Sequence, residues 1–147
     1  MTNAEQAHGE TVRRLYEEYL NQNSPEVLPF LVSDDVLLHT ATEERGIAAY
    51  AALTDRLRVA FPDMQFTICD LIVNDDRVAV RWTMEATHAG PLAGIPATGK
   101  RVQQRANVIY RFADGKIAEG WALVDQAGML RQLGFDALAA AKAAAAK

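Results

Sequence analysis

The hydrophobic pattern of this chain changes its period close to Pro62-Asp63, and this change limits the folds that are open to it. Before that point apolar residues recur at the spacing of an α-helix, and after it apolar and polar residues alternate as in β-strands. Helices followed by a run of hairpin-linked strands are typical of an α+β fold. We therefore predict a cone-shaped α+β barrel, in which a curved antiparallel sheet wraps around N-terminal helices and leaves an internal pocket.

Cap and turn residues mark the ends of the predicted elements. Asn3 is the expected N-cap of the first helix, and Ser24-Pro25 has the pattern that begins a short second helix. Asp114-Gly115 is a strong hairpin signal, and Gly134 has the position of a C′ glycine after the last helix. The predicted strands are 36–40, 65–73, 77–88, 100–113 and 116–125, and the last helix is 126–133.

Length and charge exclude several classes of protein. A chain of 147 residues suits one domain, and a net charge of −4 argues against a surface that binds nucleic acid. No apolar run approaches the roughly 20 residues that span a bilayer, and Met1–Glu10 lacks the layout of a signal peptide. The single cysteine, Cys69, excludes an intrachain disulfide. We expect a cytoplasmic protein with neither nucleic acid nor a membrane as its partner.

Asp125 is the strongest catalytic candidate among the carboxylates. It ends the apolar segment Trp121-Ala122-Leu123-Val124, and by alternation it shares a strand face with Trp121 and Leu123. An aspartate that faces an apolar interior has a raised pKa, which suits a general base or acid. The same residue is also well placed as the N-cap of the helix predicted over 126–133. The sequence leaves both roles open.

Two histidines are further candidates, because each ends an apolar strand. His39 follows Val36-Leu37-Leu38, and His88 ends the strand that carries Trp82. They could meet across a cavity mouth, or they could be ordinary half-buried residues. No closely spaced set of His, Asp and Glu has the geometry of a metal site, so we predict no metal.

Polar residues near the predicted pocket are candidates for substrate binding. Arg105 and Asn107 lie on the less apolar face of the strand 100–113, where a solvated or subunit-contact face is the alternative. Tyr16 on the first helix could donate a hydrogen bond to a ligand carbonyl, or could simply be a core residue with a wet hydroxyl.

Several segments, in their order and spacing, resemble one known family over roughly residues 8 to 134. The chain resembles the SnoaL-like polyketide cyclase (ester cyclase) family of the nuclear transport factor 2-like superfamily. The predicted domain is therefore 1–134, followed by an Ala/Lys-rich helical or disordered tail, 135–147. The segments that carry the likeness are Phe61-Pro62-Asp63-Met64, Asp76 to Thr83, Thr87-His88, Gly94 to Lys100, Tyr110 to Ile117, Trp121 with Asp125, and Gly128-Met129-Leu130.

The resemblance implies an activity and a set of site residues. It implies aldol-type ring closure of a small apolar or aromatic keto or ester substrate by a lyase or isomerase, without metal or organic cofactor. It also implies a homodimer or homotetramer. The residue that matches the general acid/base of the characterised cyclases is Asp125, at the end of the last strand. The remaining predicted site residues are His39 and His88 for catalysis, and Tyr16, Trp82, Arg105, Asn107 and Trp121 for substrate binding.

Small residues stand where this family often has larger ones. Gly120 occupies a position that is commonly His, and Ala93 and Ala97 replace larger residues in the loop after His88. If these positions line the pocket, the cavity should be larger than in relatives. Such a change leaves three alternatives open: an epoxide hydrolase-like enzyme, a ketosteroid isomerase-like enzyme, or a non-catalytic small-molecule-binding module.

Overall fold

A computed structural model describes residues 1–135 and 142–146 and confirms the predicted α+β fold. Helices cover one face of a curved, unclosed six-stranded sheet. The helices are α1 (Asn3–Arg14), a π-helix (Leu15–Asn21), a 3₁₀ turn (Pro25–Val27), α2 (Leu28–Leu31), α3 (Ile47–Ala60) and α4 (Gln126–Gln132). The strands are β1 (Val32–His39), β2 (Glu43–Arg45), β3 (Gln65–Asn74), β4 (Arg77–Thr87), β5 (Arg101–Ala113) and β6 (Lys116–Val124).

The first helix begins one residue earlier than predicted and continues as a π-helix. Thr2 and not Asn3 is the N-cap, and it forms a reciprocal capping box with Glu5. The π-helix then turns four neighbouring residues towards the sheet. All four are buried: Leu15, Tyr16, Tyr19 and Leu20.

The sheet has the order β2-β1-β6-β5-β4-β3. The three hairpin pairings β3–β4, β4–β5 and β5–β6 are antiparallel, as predicted. The pairing of β1 with β6 is parallel, so the sheet is mixed where a wholly antiparallel one was expected. Asp114 and Gly115 both have positive φ, 52° and 78°, as the tight β5–β6 turn requires.

A bulge in β6 reverses which of its side chains face the helices. Phe112 pairs with Ile117 but Arg111 pairs with Glu119, which leaves Ala118 as an extra residue. Beyond this bulge the inward positions are therefore Gly120, Ala122 and Val124. Trp121 and Leu123 lie on the outer face, the face of the sheet that the helices do not cover, and Leu123 is 78% exposed.

The small residues do not enlarge the interior. A Cβ added to Gly120 would lie 3.1 Å from Leu38 Cδ2 and 3.2 Å from Tyr110 Cδ1, so neighbouring side chains already fill that space. Ala93 and Ala97 are exposed in the loop between β4 and β5. The condition for a larger cavity, that these positions line the pocket with open space beside them, is therefore not met at Gly120, Ala93 or Ala97.

Little of the predicted tail falls within the described residues. Residues 142–145 are helical and exposed, and 136–141 and 147 lie outside the described part. Within that part, no helix is long and apolar enough to cross a membrane.

Candidate functional site

Asp125 lies where β6 ends and α4 begins, on the outer side of the sheet. Its Oδ1 accepts a hydrogen bond from the Gly128 backbone N–H at 2.8 Å, which confirms the N-cap interpretation. The side chain is exposed, so the predicted burial in an apolar interior is wrong. The bulge at Ala118 is the cause, because it turns the face of Trp121 and Leu123 away from the helices.

Arg105 and Asn107 share a cleft with Asp125. A cavity of about 380 Å³ is lined by these three residues together with others that include Leu123, and a second of similar volume adjoins it at Arg105 and Asp125. Neither the Arg105 nor the Asn107 side chain bonds to the Asp125 carboxylate, whose partner within the described residues is Gly128. This separation counts against the epoxide hydrolase-like alternative, which needs a bonded polar cluster. The other lining residues of the two cavities are Arg81, Gln103, Ala106, Val124, Gly128, Arg131 and Gln132.

The position of α4 beside this cleft depends on two glutamines. Gln132 accepts from the Gln103 backbone N–H at 2.8 Å and donates to its C=O at 2.7 Å. It thereby replaces the strand partner that β5 lacks beyond the end of β6. On the inner side, Gln104 donates to Gln126 at 3.0 Å. These hydrogen bonds hold α4 against β5 on one side of the cleft.

His39 and Trp121 form a second cluster, on the outer face of the sheet. Their rings stack with centroids 5.4 Å apart, and Arg77 lies 5.1 Å above the Trp121 ring. His39 Nε2 lies 2.7 Å from Glu119 Oε2, and Nδ1 lies 3.2 Å from Glu43 Oε1. Both ring nitrogens of His39 thus lie within contact distance of a carboxylate, on the face of the sheet that the helices do not cover.

The charge on Glu119 should make this cluster sensitive to acid. The hydrogen bond from His39, followed by that from Arg111, lowers the pKa of Glu119 below its usual 4.5. A carboxylate whose pKa is lower in the folded than in the unfolded protein stabilises the fold at pH values above its unfolded-state pKa. This contribution is lost as the pH falls through the folded-state pKa.

We expect Glu119→Gln to lower the free energy of unfolding in urea at pH 7, and the difference from wild type to shrink below pH 4.5. Glu85→Gln is the control, because Glu85 makes only an exposed 3.8 Å contact with Arg101. An effect of Glu119→Gln that is equal at pH 7 and at pH 3 would contradict the prediction.

His88 lies inside the fold, and its proton can be assigned. It is fully buried, and its Nδ1 accepts from the Thr98 backbone N–H at 3.3 Å and lies 3.0 Å from Thr98 Oγ1. A neutral imidazole that accepts at Nδ1 carries its proton on Nε2. Nε2 has no partner within the described residues.

The two histidines do not meet across a cavity mouth, the first of the two alternatives that the sequence left open. His39, Trp121, Ile109 and Ala79 form one row across the sheet. His88 lies nine residues beyond Ala79, on the order of 30 Å along the sheet at about 3.3 Å per residue. The two rings also lie on opposite faces, since His39 is on the outer face and His88 is inside.

Tyr16 and Trp82 are the predicted binding residues that lie in the interior. The Tyr16 hydroxyl is 2.5 Å from that of Tyr110, and its ring centroid is 6.3 Å from that of Trp82. Burial raises the pKa of Tyr16 and of Tyr110 well above the usual value, so both phenols remain protonated. Nothing in the sequence indicated the contact of Tyr16 with Tyr110, a residue 94 positions away.

An open curved sheet with helices on its inner face, an apolar interior and a cleft where β6 meets α4 defines a class of small α+β proteins. The family model described as "SnoaL-like polyketide cyclase" matches residues 10–133 of this chain. The chain therefore belongs to the SnoaL-like polyketide cyclase family.

Two curated relatives are aklanonic acid methyl ester cyclases. DnrD of Streptomyces peucetius is 31% identical over 128 residues, which cover 84% of this chain and 88% of the relative. DauD of Streptomyces sp. (strain C5) is 31% identical over 127 residues, which cover 84% of this chain and 79% of DauD.

Proteins with similar crystal structures have been assigned more than one activity. IdmH of Streptomyces antibioticus, a proposed polyketide cyclase, has a TM-score of 0.78 and 28% identity, with 87% of this chain and 99% of IdmH covered. AclR of Streptomyces galilaeus, a proposed hydroxylase, has a TM-score of 0.79 and 27% identity, with 88% of this chain and 97% of AclR covered. The fold is therefore shared by proteins to which different reactions have been assigned.

Proposed function

We propose that this chain is a cofactor-independent cyclase that closes a ring on a small keto or ester substrate by an aldol-type reaction. The observation that carries the proposal is that Asp125, Arg105 and Asn107 line one cavity of about 380 Å³. Membership of the polyketide cyclase family and the cyclase activity of DnrD and DauD support the same class of reaction.

The proposed mechanism uses Asp125 as both general base and general acid. The carboxylate removes a proton from an activated C–H of the substrate, and the resulting enolate carbon forms a bond to a ketone carbon of the same molecule. The protonated Asp125 then returns its proton to the new alkoxide, so the product is an isomer of the substrate. The cap hydrogen bond engages Oδ1, and Oδ2 has no hydrogen-bond partner within the described residues.

Arg105 and Asn107 supply what an exposed aspartate lacks. A positive guanidinium beside the substrate carbonyl stabilises the negative charge that develops on the enolate oxygen. Asn107 offers an amide donor in the same cleft, and Leu123 offers an apolar wall. The acidity of the substrate C–H would therefore be raised by the cleft, while Asp125 itself remains solvated.

The direct test is a turnover assay with aklanonic acid methyl ester and a panel of simpler keto esters. We expect a product of unchanged mass and altered chromatographic retention, formed by the folded protein and absent after heat unfolding. If no substrate in the panel cyclises, the chain is not an enzyme of this class.

One observation favours a second candidate, a non-catalytic small-molecule-binding module. Apart from tyrosine and tryptophan, the buried polar side chains of the described residues are Thr54, His88 and Gln104, with no carboxylate among them. An interior without a carboxylate can hold a ligand without supplying the carboxylate base that the cyclase mechanism uses. Ligand-dependent thermal stabilisation without turnover would support this candidate.

We propose further that the outer face of the sheet pairs two copies of the chain. Ile72, Ala79, Ile109 and Trp121 form one row across β3, β4, β5 and β6. Ile72 is 66% exposed and Ile109 is 46% exposed, although apolar side chains are usually buried.

The cytoplasmic location inferred from the sequence remains a prediction.

Ile109→Lys is expected to convert this dimer into a monomer, because it places a charge in the middle of the apolar row. Sedimentation at micromolar concentration should show twice the 16.1 kDa chain mass for wild type and the single mass for the variant. Val59→Lys is the control, since Val59 is 63% exposed on α3, away from the sheet. A monomeric wild-type protein would refute the pairing.

A further inference from the structure

The two cavities beside Asp125 form one cleft with unlike halves. Each has a volume of about 380 Å³, and the two halves share Asp125 and Arg105. The half that includes residues of α4 has no apolar side chain in its lining, which consists of Gln103, Arg105, Asp125, Gly128, Arg131 and Gln132. The other half has apolar walls, among them Leu123 and Val124. A ligand that spans the cleft therefore meets apolar surface at one end and polar groups at the other.

The cleft has an excess of positive charge, although the net charge of the chain is −4. Its ionisable lining residues are three arginines, Arg81, Arg105 and Arg131, and one carboxylate, Asp125. Arg81 is balanced by Asp70, whose Oδ2 lies 2.7 Å from the Arg81 Nε. Arg105 and Arg131 form no ion pair within the described part of the chain. Both guanidinium groups are thus available to an anion, which the local charge attracts.

The cleft lies between these arginines and Asp125 and keeps the opposite charges apart. The Asp125 carboxylate accepts from the Gly128 N–H and pairs with neither arginine. A ligand that places an acidic C–H beside Asp125 and a negative group beside an arginine would use both charges. Its own negative group would then stay away from the aspartate, so the two like charges are separated.

Arg131 is the arginine best placed for that negative group. The proposed function already assigns Arg105 to the substrate carbonyl, at the junction of the two halves. Arg131 lines only the polar half, and its helix is held to β5 by the bonds of Gln132 with Gln103, at 2.7 and 2.8 Å. A guanidinium presents paired N–H donors that match the two oxygens of a carboxylate.

We propose that the substrate of this cleft carries a free carboxylate, which Arg131 binds, in addition to the ketone that faces Arg105 and Asp125. This inference rests on the proposed function for the roles of Asp125 and Arg105. It adds the substrate class, a keto compound with a carboxylate, and it adds Arg131 as the residue that selects it. Along the ligand the order is an apolar group at Leu123, the ketone at the junction, and the carboxylate beside α4.

The test uses 3-benzoylpropionate as the probe, because it has a ring, a ketone and a carboxylate in this order. Its methyl ester is the match, with the same ring and ketone but no charge. Neither compound has a second ketone, so neither can undergo the proposed ring closure, and calorimetric titration measures binding alone. We expect wild type to bind the acid about tenfold more tightly than the ester, the lower end of what a hydrogen bond between charged groups contributes. The preference should shrink at high salt.

Arg131→Gln removes the charge and keeps a polar side chain. We expect it to bind the acid about tenfold more weakly than wild type, with the affinity for the ester unchanged. Arg56→Gln is the matched control and should bind both compounds as wild type does. Arg56 is also exposed and without an ion pair among the described residues, but it lies on α3, which belongs to the helices on the other face of the sheet.

Equal affinity of wild type for the acid and the ester would overturn the proposal. An undiminished preference for the acid in Arg131→Gln would overturn it as well.

The outcome is distinguishable from that of the cyclase proposal. Asp125→Asn should abolish ring closure, yet it should bind 3-benzoylpropionate at least as tightly as wild type, because a repelling charge is removed. If no substrate is turned over, a preference for the acid that Arg131→Gln abolishes still supports the carboxylate site. If a neutral keto ester is cyclised and the preference is absent, the carboxylate site alone is refuted.

Discussion

Asp125→Asn is expected to lower the rate of ring closure by about 10²-fold or more while leaving the stability of the protein nearly unchanged. A general acid/base contributes about 10² to 10⁴ in rate, and an amide cannot take the substrate proton. Asn is about as good an N-cap as Asp, so the bond from the Gly128 N–H survives the substitution. The variant therefore separates the two roles of this residue.

Two further variants sharpen the result. Asp125→Ala should lose the cap as well, at a cost of about 1 kcal/mol in unfolding free energy. Gly128→Ala keeps the carboxylate but displaces it, since the new Cβ would lie 2.2 Å from Asp125 Oδ2. We expect a reduced rate from all three. A wild-type rate in Asp125→Asn, with Asp125→Ala merely less stable, would show that Asp125 is only a cap.

The bulge at Ala118 explains why the sequence located Asp125 correctly along the chain but on the wrong face. Alternation from Ile117 predicts that residues 119, 121, 123 and 125 also face inwards, and the large side chains of Trp121 and Leu123 supported that assignment. One inserted residue reverses the phase, so Gly120 and Ala122 face inwards instead. Ala118 carries no signal that marks a bulge, and only the pairing of β6 with β5 shows it.

The strands of the hairpin series were predictable because their pairing is local. Arg77 to Thr87 and Arg101 to Ala113 alternate clearly, and Asp114-Gly115 specifies the turn that follows. The parallel pairing of β1 with β6 joins segments about 80 residues apart and depends on the whole fold. The same limit applies to the hydrogen bond between Tyr16 and Tyr110, which meet only after the π-helix has packed on the sheet.

Gly90→Ala is expected to be the most destabilising single substitution considered for this chain. A Cβ at Gly90 would lie 2.1 Å from the backbone oxygen of Val59 and 2.9 Å from its carbonyl carbon. A backbone clash cannot be relieved by a rotamer change, so we expect a loss of about 3 kcal/mol or more, at the upper end of overpacking effects. The N–H groups of Ala89 and Gly90 both donate to Ala60 O, and these bonds would have to lengthen or break.

Gly9→Ala provides the control with the opposite expected sign. Gly9 lies inside α1, and its added Cβ would make ordinary contacts of 3.4 and 3.5 Å with Val73 and Leu71. Alanine in a helix interior is favoured over glycine by about 0.5–1 kcal/mol, so this variant should be as stable as wild type or more so. Urea unfolding of both variants measures the contrast. If Gly90→Ala stayed within about 0.5 kcal/mol of wild type, a range usual for surface substitutions, the loop after β4 could not lie against the end of α3. The packing that buries His88 beside Phe61 would then be wrong as well, because the same crossing brings these two rings to 5.9 Å.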